Sequence, residues 1–138
     1  VDDFHYLPHT EDGSIVKNGN FNFHQTLAEA MEKQNFNLQA ITATTGELKS
    51  AGFIHVQEIV LEMPIGDWHE EPELKEIGVY FRTVMKEAIP EIGTRVIQEN
   101  LGWSRDELLV LGAKATQSLY LPSRTYFPFH IIIGQKPA

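Results

Sequence analysis

The chain has 138 residues, 42% of them hydrophobic, a formal net charge of −8 and no cysteine, which fits one globular domain. Without cysteine there is no disulfide framework, thiolate metal site or cysteine nucleophile, a composition that favours an intracellular location, cytoplasmic or nuclear. The acidic balance speaks against a nucleic-acid partner held through phosphates, and with no apolar run near the ~20 residues of a bilayer span and no signal-peptide pattern, no membrane role is expected.

Val1 to Tyr6 reads as the end of a strand, followed by a turn-rich loop through Pro8, Thr10, Asp12, Gly13 and Ser14. His5 and His9 are four apart, which is metal-ligand spacing on a helix. Pro8 between them opposes a helix, so ordinary loop histidines are preferred over a metal site. Gly19 falls in a polar loop where it should have conformational freedom. Asn22 and Gln25 resemble a helix N-cap and its partner, and Phe23, Leu27, Ala30 and Met31 carry one amphipathic helix to Lys33. Leu38 to Thr44 is a short strand or a loop. Thr44 and Glu47 suggest a cap for a short helix through Leu48 and Ala51, ended by Gly52 in a left-handed conformation.

Phe53 to Met63 alternates, with Glu58 and Glu62 on one face, as in an edge strand. Pro64-Ile65-Gly66-Asp67-Trp68 turns the chain. Pro72 opens the longest helix, with Glu70, Glu71 and Glu73 at its positive end. Its stripe of Leu74, Ile77, Phe81, Val84, Met85 and Ala88 runs to a break at Pro90. His69-Glu70-Glu71 could be a catalytic cluster, but charge at a helix start explains it better. A second helix carries Ile92, Val96 and Ile97 to Gly102, and a Ser104–Glu107 capping box opens a third, striped by Leu108, Leu111, Ala115 and Leu119.

After Leu121-Pro122-Ser123 comes the final strand, Thr125 to Gly134. Phe127, Phe129, Ile131 and Ile133 share one face; Tyr126, Pro128 and Ile132 share the other, interrupted only by His130. Such a run reads as a strand buried on both sides, in the middle of a sheet with helices on both faces. The whole is an α/β pattern with a helical insertion between the last two strands and no inter-domain linker.

Leu48-Lys49-Ser50-Ala51-Gly52-Phe53, Pro64-Ile65-Gly66-Asp67-Trp68, Leu74-Lys75-Glu76-Ile77-Gly78, Leu101-Gly102-Trp103-Ser104 and Tyr126-Phe127-Pro128-Phe129 occur in this order. Together they resemble the C-terminal half of the fungal LaeA-like methyltransferases, class I S-adenosylmethionine-dependent enzymes and regulators of secondary metabolism. Asp12-Gly13-Ser14 resembles the segment after their fifth strand. The resemblance implies a Rossmann-like sheet of seven strands whose last strand is antiparallel. Val1 to Tyr6 would be the tail of strand five, Phe53 to Met63 strand six and Tyr126 to Ile133 strand seven. Residues 1–138 would then be a single partial domain, the substrate-side portion.

Cofactor binding in that family needs a glycine-rich loop, for close backbone approach, and an acidic residue for the ribose hydroxyls. The glycines here are scattered with no Gly-x-Gly, so by this resemblance the cofactor-binding N-terminal half is expected to be absent from this chain. S-adenosylmethionine is implied for the parent fold and is not expected to bind this chain alone. Arg124 stands where relatives often have histidine.

The expected function is therefore the substrate-side portion of a methyltransferase. It would act with the missing N-terminal half, a partner chain or a second copy in a homo-oligomer, and a small molecule is a possible substrate. Trp68, Tyr80 and Tyr126 are the substrate-pocket candidates, because aromatic faces suit organic substrates and a methylsulfonium; core packing is the plainer reading of each. His5 is the one candidate catalytic base, against the plainer reading of an exposed loop histidine. The rival expectation is a non-catalytic methyltransferase-like interaction or regulatory module that binds through an unpaired sheet edge.

Overall fold

The computed structural model describes residues 1–13 and 19–138, and of Ile92 the backbone alone; Ser14 of the Asp12-Gly13-Ser14 segment lies outside them. The final strand, β4 (Thr125–Gln135), organises a four-stranded sheet. A strand has two edges, and β3 (Ile54–Pro64) takes one of them, antiparallel, from Gln57↔Ile133 to Pro64↔Tyr126. The other edge is shared end to end by β1 (Asp2–Phe4), through Phe4↔Phe129, and β2 (His9–Thr10), through His9↔Tyr126. Both are antiparallel to β4, so β1 and β3 run parallel to each other with the last strand inserted between them. Pairing at His9–Thr10 corrects the expectation of a plain loop there. His5 N–H donates to Pro128 O at 2.9 Å, and Leu7 N–H closes a tight turn on His5 O at 2.7 Å, which swings the chain back onto β4.

Helices cover both faces. The Phe127 face carries α1 (Gly19–Glu32), α3 (Pro72–Ala88), α4 (Thr94–Leu101) and α5 (Arg105–Ser118). Phe23, Ala30, Met85, Ile89, Ile97, Leu108, Ala115, Leu119 and Phe127 form the core between them. On the other face Leu48 of α2 (Ile41–Ser50) and Phe53, just past its end, pack against Gly134, and Ile132 on the same face of β4 is 1% exposed. The final strand is thus buried at Phe127, Pro128 and Ile132, but Ile133 at its far end is 57% exposed. Burial on both sides holds only where helices reach.

Local signals place several boundaries. Pro72 is the first residue of α3, where its missing N–H costs nothing. Ser104 Oγ accepts from Glu107 N–H at 3.2 Å and caps α5. Gly52, at φ +95, ends α2 with paired bonds from Gly52 N–H to Lys49 O and from Phe53 N–H to Leu48 O, the Schellman arrangement.

Other boundaries differ from expectation. α2 begins a turn before Thr44, because Thr42 and Thr44 donate their hydroxyls back to Gln39 O and Ala40 O instead of capping. α1 begins at Gly19 rather than after Asn22, and Gly19 is not a free loop glycine: a β-carbon there would lie 2.6 Å from Lys114 O of α5. Pro90 does not break the helix. Residues Ile89–Gly93 form a π-helical turn that carries α3 into α4, and Thr94 Oγ1 donates to Pro90 O at 2.6 Å. The wider ring accommodates a residue with no N–H and a bulky pyrrolidine.

Two of the family-like motifs meet in space. Gly66, at φ +93, donates its N–H to Gly78 O in the middle of α3 at 2.8 Å. A β-carbon on Gly78 would overlap Gly66 O. The turn after β3 is therefore seated directly on the α3 backbone, with Asp67 3.8 Å from Arg82 of α3 and Trp68 reaching Thr125 at the start of β4.

Candidate functional site

The antiparallel register puts three histidines and a tyrosine on the α2 face of the sheet. His9 stands opposite Tyr126 and stacks on it, ring centroids 5.8 Å apart and planes 25° apart. His5, where β1 gives way to the turn, lies 5.1 Å from the His9 ring and 6.4 Å from the His130 ring. His130 Nδ1 meets Glu58 Oε1 at 2.6 Å, and the other carboxylate oxygen of Glu58 accepts from Thr45 Oγ1 at 2.8 Å. Those two hydrogen bonds hold the Glu58 carboxyl below its usual range.

His5 Nε2 lies 3.3 Å from Gln39 Oε1. With Gln39 as acceptor the ring proton sits on Nε2, and Nδ1 is left with a free lone pair. Desolvation lowers the His5 pKa most; the bond to Gln39 opposes it, and His9 and His130 push it down further. A neutral imidazole at physiological pH is the form that accepts a proton. Tyr126 is shifted the other way: desolvation raises its phenol first, then the charges of Glu62 and Glu11. It remains a hydrogen-bond donor.

Beside this cluster Trp68 Nε1–H donates to Thr125 O at 2.9 Å. Arg124 stacks over the Trp68 ring at 4.7 Å, donates to Glu11 Oε2 at 2.8 Å and lies 3.6 Å from Glu70 Oε1. Arg124 is thus committed to an aromatic face and two carboxylates. A hollow of about 410 Å³ lies there, lined by Thr10, Glu11, Asp12, Pro122, Ser123 and Arg124. A larger hollow, about 910 Å³ between the π-turn, α4 and α5, is lined by residues such as Leu108, Leu109, Thr116 and Tyr120, with neither histidine nor carboxylate among its described lining.

Of the residues singled out from sequence, His5 and Tyr126 are brought together through His9, and Trp68 is tied to the residue before Tyr126. Tyr80 stands apart, on the outer side of α3 and 70% exposed. His9, His130 and Glu58 were not foreseen as members of one site. His130 was visible only as the polar interruption in an apolar strand. Among the described residues, no group of three His, Asp or Glu side chains is placed to hold a metal ion.

A glycine that cradles a cofactor leaves space a β-carbon would fill. Here the glycines in tight contact (Gly19, Gly78 and Gly93) are filled by Lys114, Gly66 and Phe23 of the chain itself, and Gly13, Gly52 and Gly102 face open space. Gly19, Gly78 and Gly93 therefore serve close packing within the chain and do not cradle a cofactor.

The chain is 27% identical over 112 residues to methyltransferase pytC of Aspergillus terreus, covering 80% of this chain and 35% of the relative. Its homologues are methyltransferases of fungal secondary metabolism and the regulator laeA. The probable methyltransferase tdiE of Emericella nidulans is 22% identical over 131 residues, 94% of this chain and 41% of its own length. The secondary metabolism regulator laeA of Aspergillus flavus is 20% identical over 115 residues, 83% and 30%. The resemblance to LaeA-like proteins of fungal secondary metabolism stands, and the chain spans about a third of the length of these relatives. No protein-family profile and no solved structure matches it. No helix among the described residues is long and apolar enough to cross a membrane.

Proposed function

We propose that this chain is the substrate-side portion of an S-adenosylmethionine-dependent methyltransferase of fungal secondary metabolism, completed by an N-terminal half or partner chain that supplies the cofactor site. Under this reading β1, β3 and β4 are strands five, six and seven of a class I sheet, and α3 to α5 are the insertion between the last two. The observation that carries the site assignment is the cluster of His5, His9, His130 and Tyr126 at the α2 face, with His5 held neutral.

Methyl transfer depends mainly on aligning a nucleophile and removing its proton. His5 Nδ1 would accept the proton of a substrate hydroxyl, Tyr126 would donate to a substrate oxygen, and Trp68 with Arg124 would form one wall of the substrate pocket. Tyr80 is proposed only as a contact from outside this cluster.

The test is transfer of labelled methyl from S-adenosylmethionine to phenolic and enolic small molecules, by the longest natural chain that contains these residues. His5→Gln should lower kcat by about 10²-fold or more with little change in KM. An unchanged kcat would remove His5 from the chemistry. The second reading is a non-catalytic module that binds a partner through the edge of β3 left unpaired among the described residues. It predicts no methyl transfer in any assembly.

A further inference from the structure

We propose that the outer edge of β3 pairs, antiparallel, with β3 of a second copy of this chain, about a two-fold axis at Ile59. One edge of β3 is fully used by β4, and among the described residues no strand pairs with the other. β3 is eleven residues long, and Ile59, Val60 and Leu61 are 50%, 48% and 44% exposed at its centre. Natural edges are usually guarded by lysine, proline or a bulge. The bulge of β3 lies between Ile54 and Gln57, with His55 at φ +52, and its proline is Pro64. Between those guards, Gln57 to Met63 has regular pairing to β4 and no basic residue or proline.

The register follows from charge. Closed two-fold pairing must be antiparallel, and like charges directly opposite each other are destabilising. Centring on Glu58 sets Glu58 against itself, and centring on Val60 sets Glu58 against Glu62. Centring on Leu61 draws in Pro64, which is already fully buried in its own chain and lacks an N–H. Centring on Ile59 gives Ile59↔Ile59, Glu58↔Val60 and Gln57↔Leu61, with no like charges directly opposite and the glutamates only diagonal to one another. It also continues the apolar row of Leu61, Ile59 and Ile131 across the axis.

The chain as a whole exposes more surface than a closed monomer of its mass. A monomer of 15.7 kDa exposes about 7,300 Å², whereas this chain exposes 8706 Å². The surplus exceeds the ~800 Å² per partner of a standard interface. A cofactor-binding half, under the reading above, would add its strand beside β1 and leave the β3 edge free. A second copy is the occupant whose edge is complementary by construction. This inference does not depend on methyl transfer.

Because the chain has no native cysteine, single-cysteine variants report the register cleanly. At the axis the two Cβ atoms of residue 59 would be about 5 Å apart, near the span of a disulfide. The two copies of residue 61 would be about 13 Å apart along the strands. Sedimentation at micromolar concentration should give twice the chain mass. Ile59→Lys should weaken the dimer at least tenfold with its circular dichroism unchanged, and mild oxidation should crosslink Ile59→Cys but not Leu61→Cys. The two cysteines share a strand face and similar exposure, so access alone does not separate them. A monomeric wild type, an unweakened Ile59→Lys dimer, or crosslinking at residue 61 in place of 59 would each overturn the proposal. Should Ile59→Lys fail to fold, the cysteine pair decides.

Discussion

Gly78 lies inside α3, where replacement by alanine would ordinarily stabilise a helix by about 1 kcal/mol. The structure reverses the sign. The new β-carbon would overlap Gly66 O, a backbone atom that no rotamer change can move aside. Gly66 is itself held at φ +93, and its N–H bonds to Gly78 O at 2.8 Å. Relieving the overlap means lifting the Gly66 turn, with an overpacking cost of about 1–3 kcal/mol and loss of a hydrogen bond worth about 1 kcal/mol. Set against the helix gain, Gly78→Ala should destabilise by about 2 kcal/mol, a fall in Tm of about 7 °C for a chain of this size. Gly46→Ala is the control: it lies in α2 with nothing within 4 Å of its β-carbon, and should stabilise by about 0.5–1 kcal/mol. Urea midpoints at unchanged m decide the matter. A Gly78→Ala chain as stable as wild type, or stabilised alongside Gly46→Ala, would show that the turn does not rest on the helix.

Burial lowers the His24 pKa to about 4, while Nδ1–H donates to Asn20 O at 2.9 Å. Between pH 6.5 and 4 the unfolded chain therefore binds a proton that the folded chain refuses. Stability should fall on acidification through that window, by up to about 3 kcal/mol, and His24→Phe should flatten the slope of midpoint against pH; an equal slope in both chains would contradict it. Ser104→Ala removes the α5 cap and should cost about 1 kcal/mol in denaturant midpoint, whereas no loss would mean water replaces the cap. Gly19→Val should be at least as disruptive as Gly52→Val, one through the 2.6 Å approach to Lys114 O and the other through φ +95; a near-neutral Gly19→Val would refute the α1–α5 contact. Calorimetric titration of the chain alone with S-adenosylmethionine should show no saturable binding below millimolar ligand, and micromolar affinity would place the cofactor site within these residues.

Features set by residues a few positions apart were readable directly. Pro72 at a helix start, Ser104 three residues before Glu107, Gly52 after an apolar turn and the central position of the Thr125–Gln135 strand all depend on local geometry or on an unbroken apolar run. Even there, neighbouring structure overruled some boundaries: Gly19 joins α1 because α5 lies against it, and Pro90 is carried through because a π-turn has room for it. The site depended on long-range register. His9 faces Tyr126 only because a two-residue strand pairs with β4, and His130 finds Glu58, 72 residues away, only because β3 lies beside β4 in one register. Side chains on a strand alternate with period two, so a slip of one residue in either pairing would send these groups to opposite faces. Composition and spacing could mark His5, His130 and Tyr126 as unusual residues, but only the pairing of the strands decided that they meet.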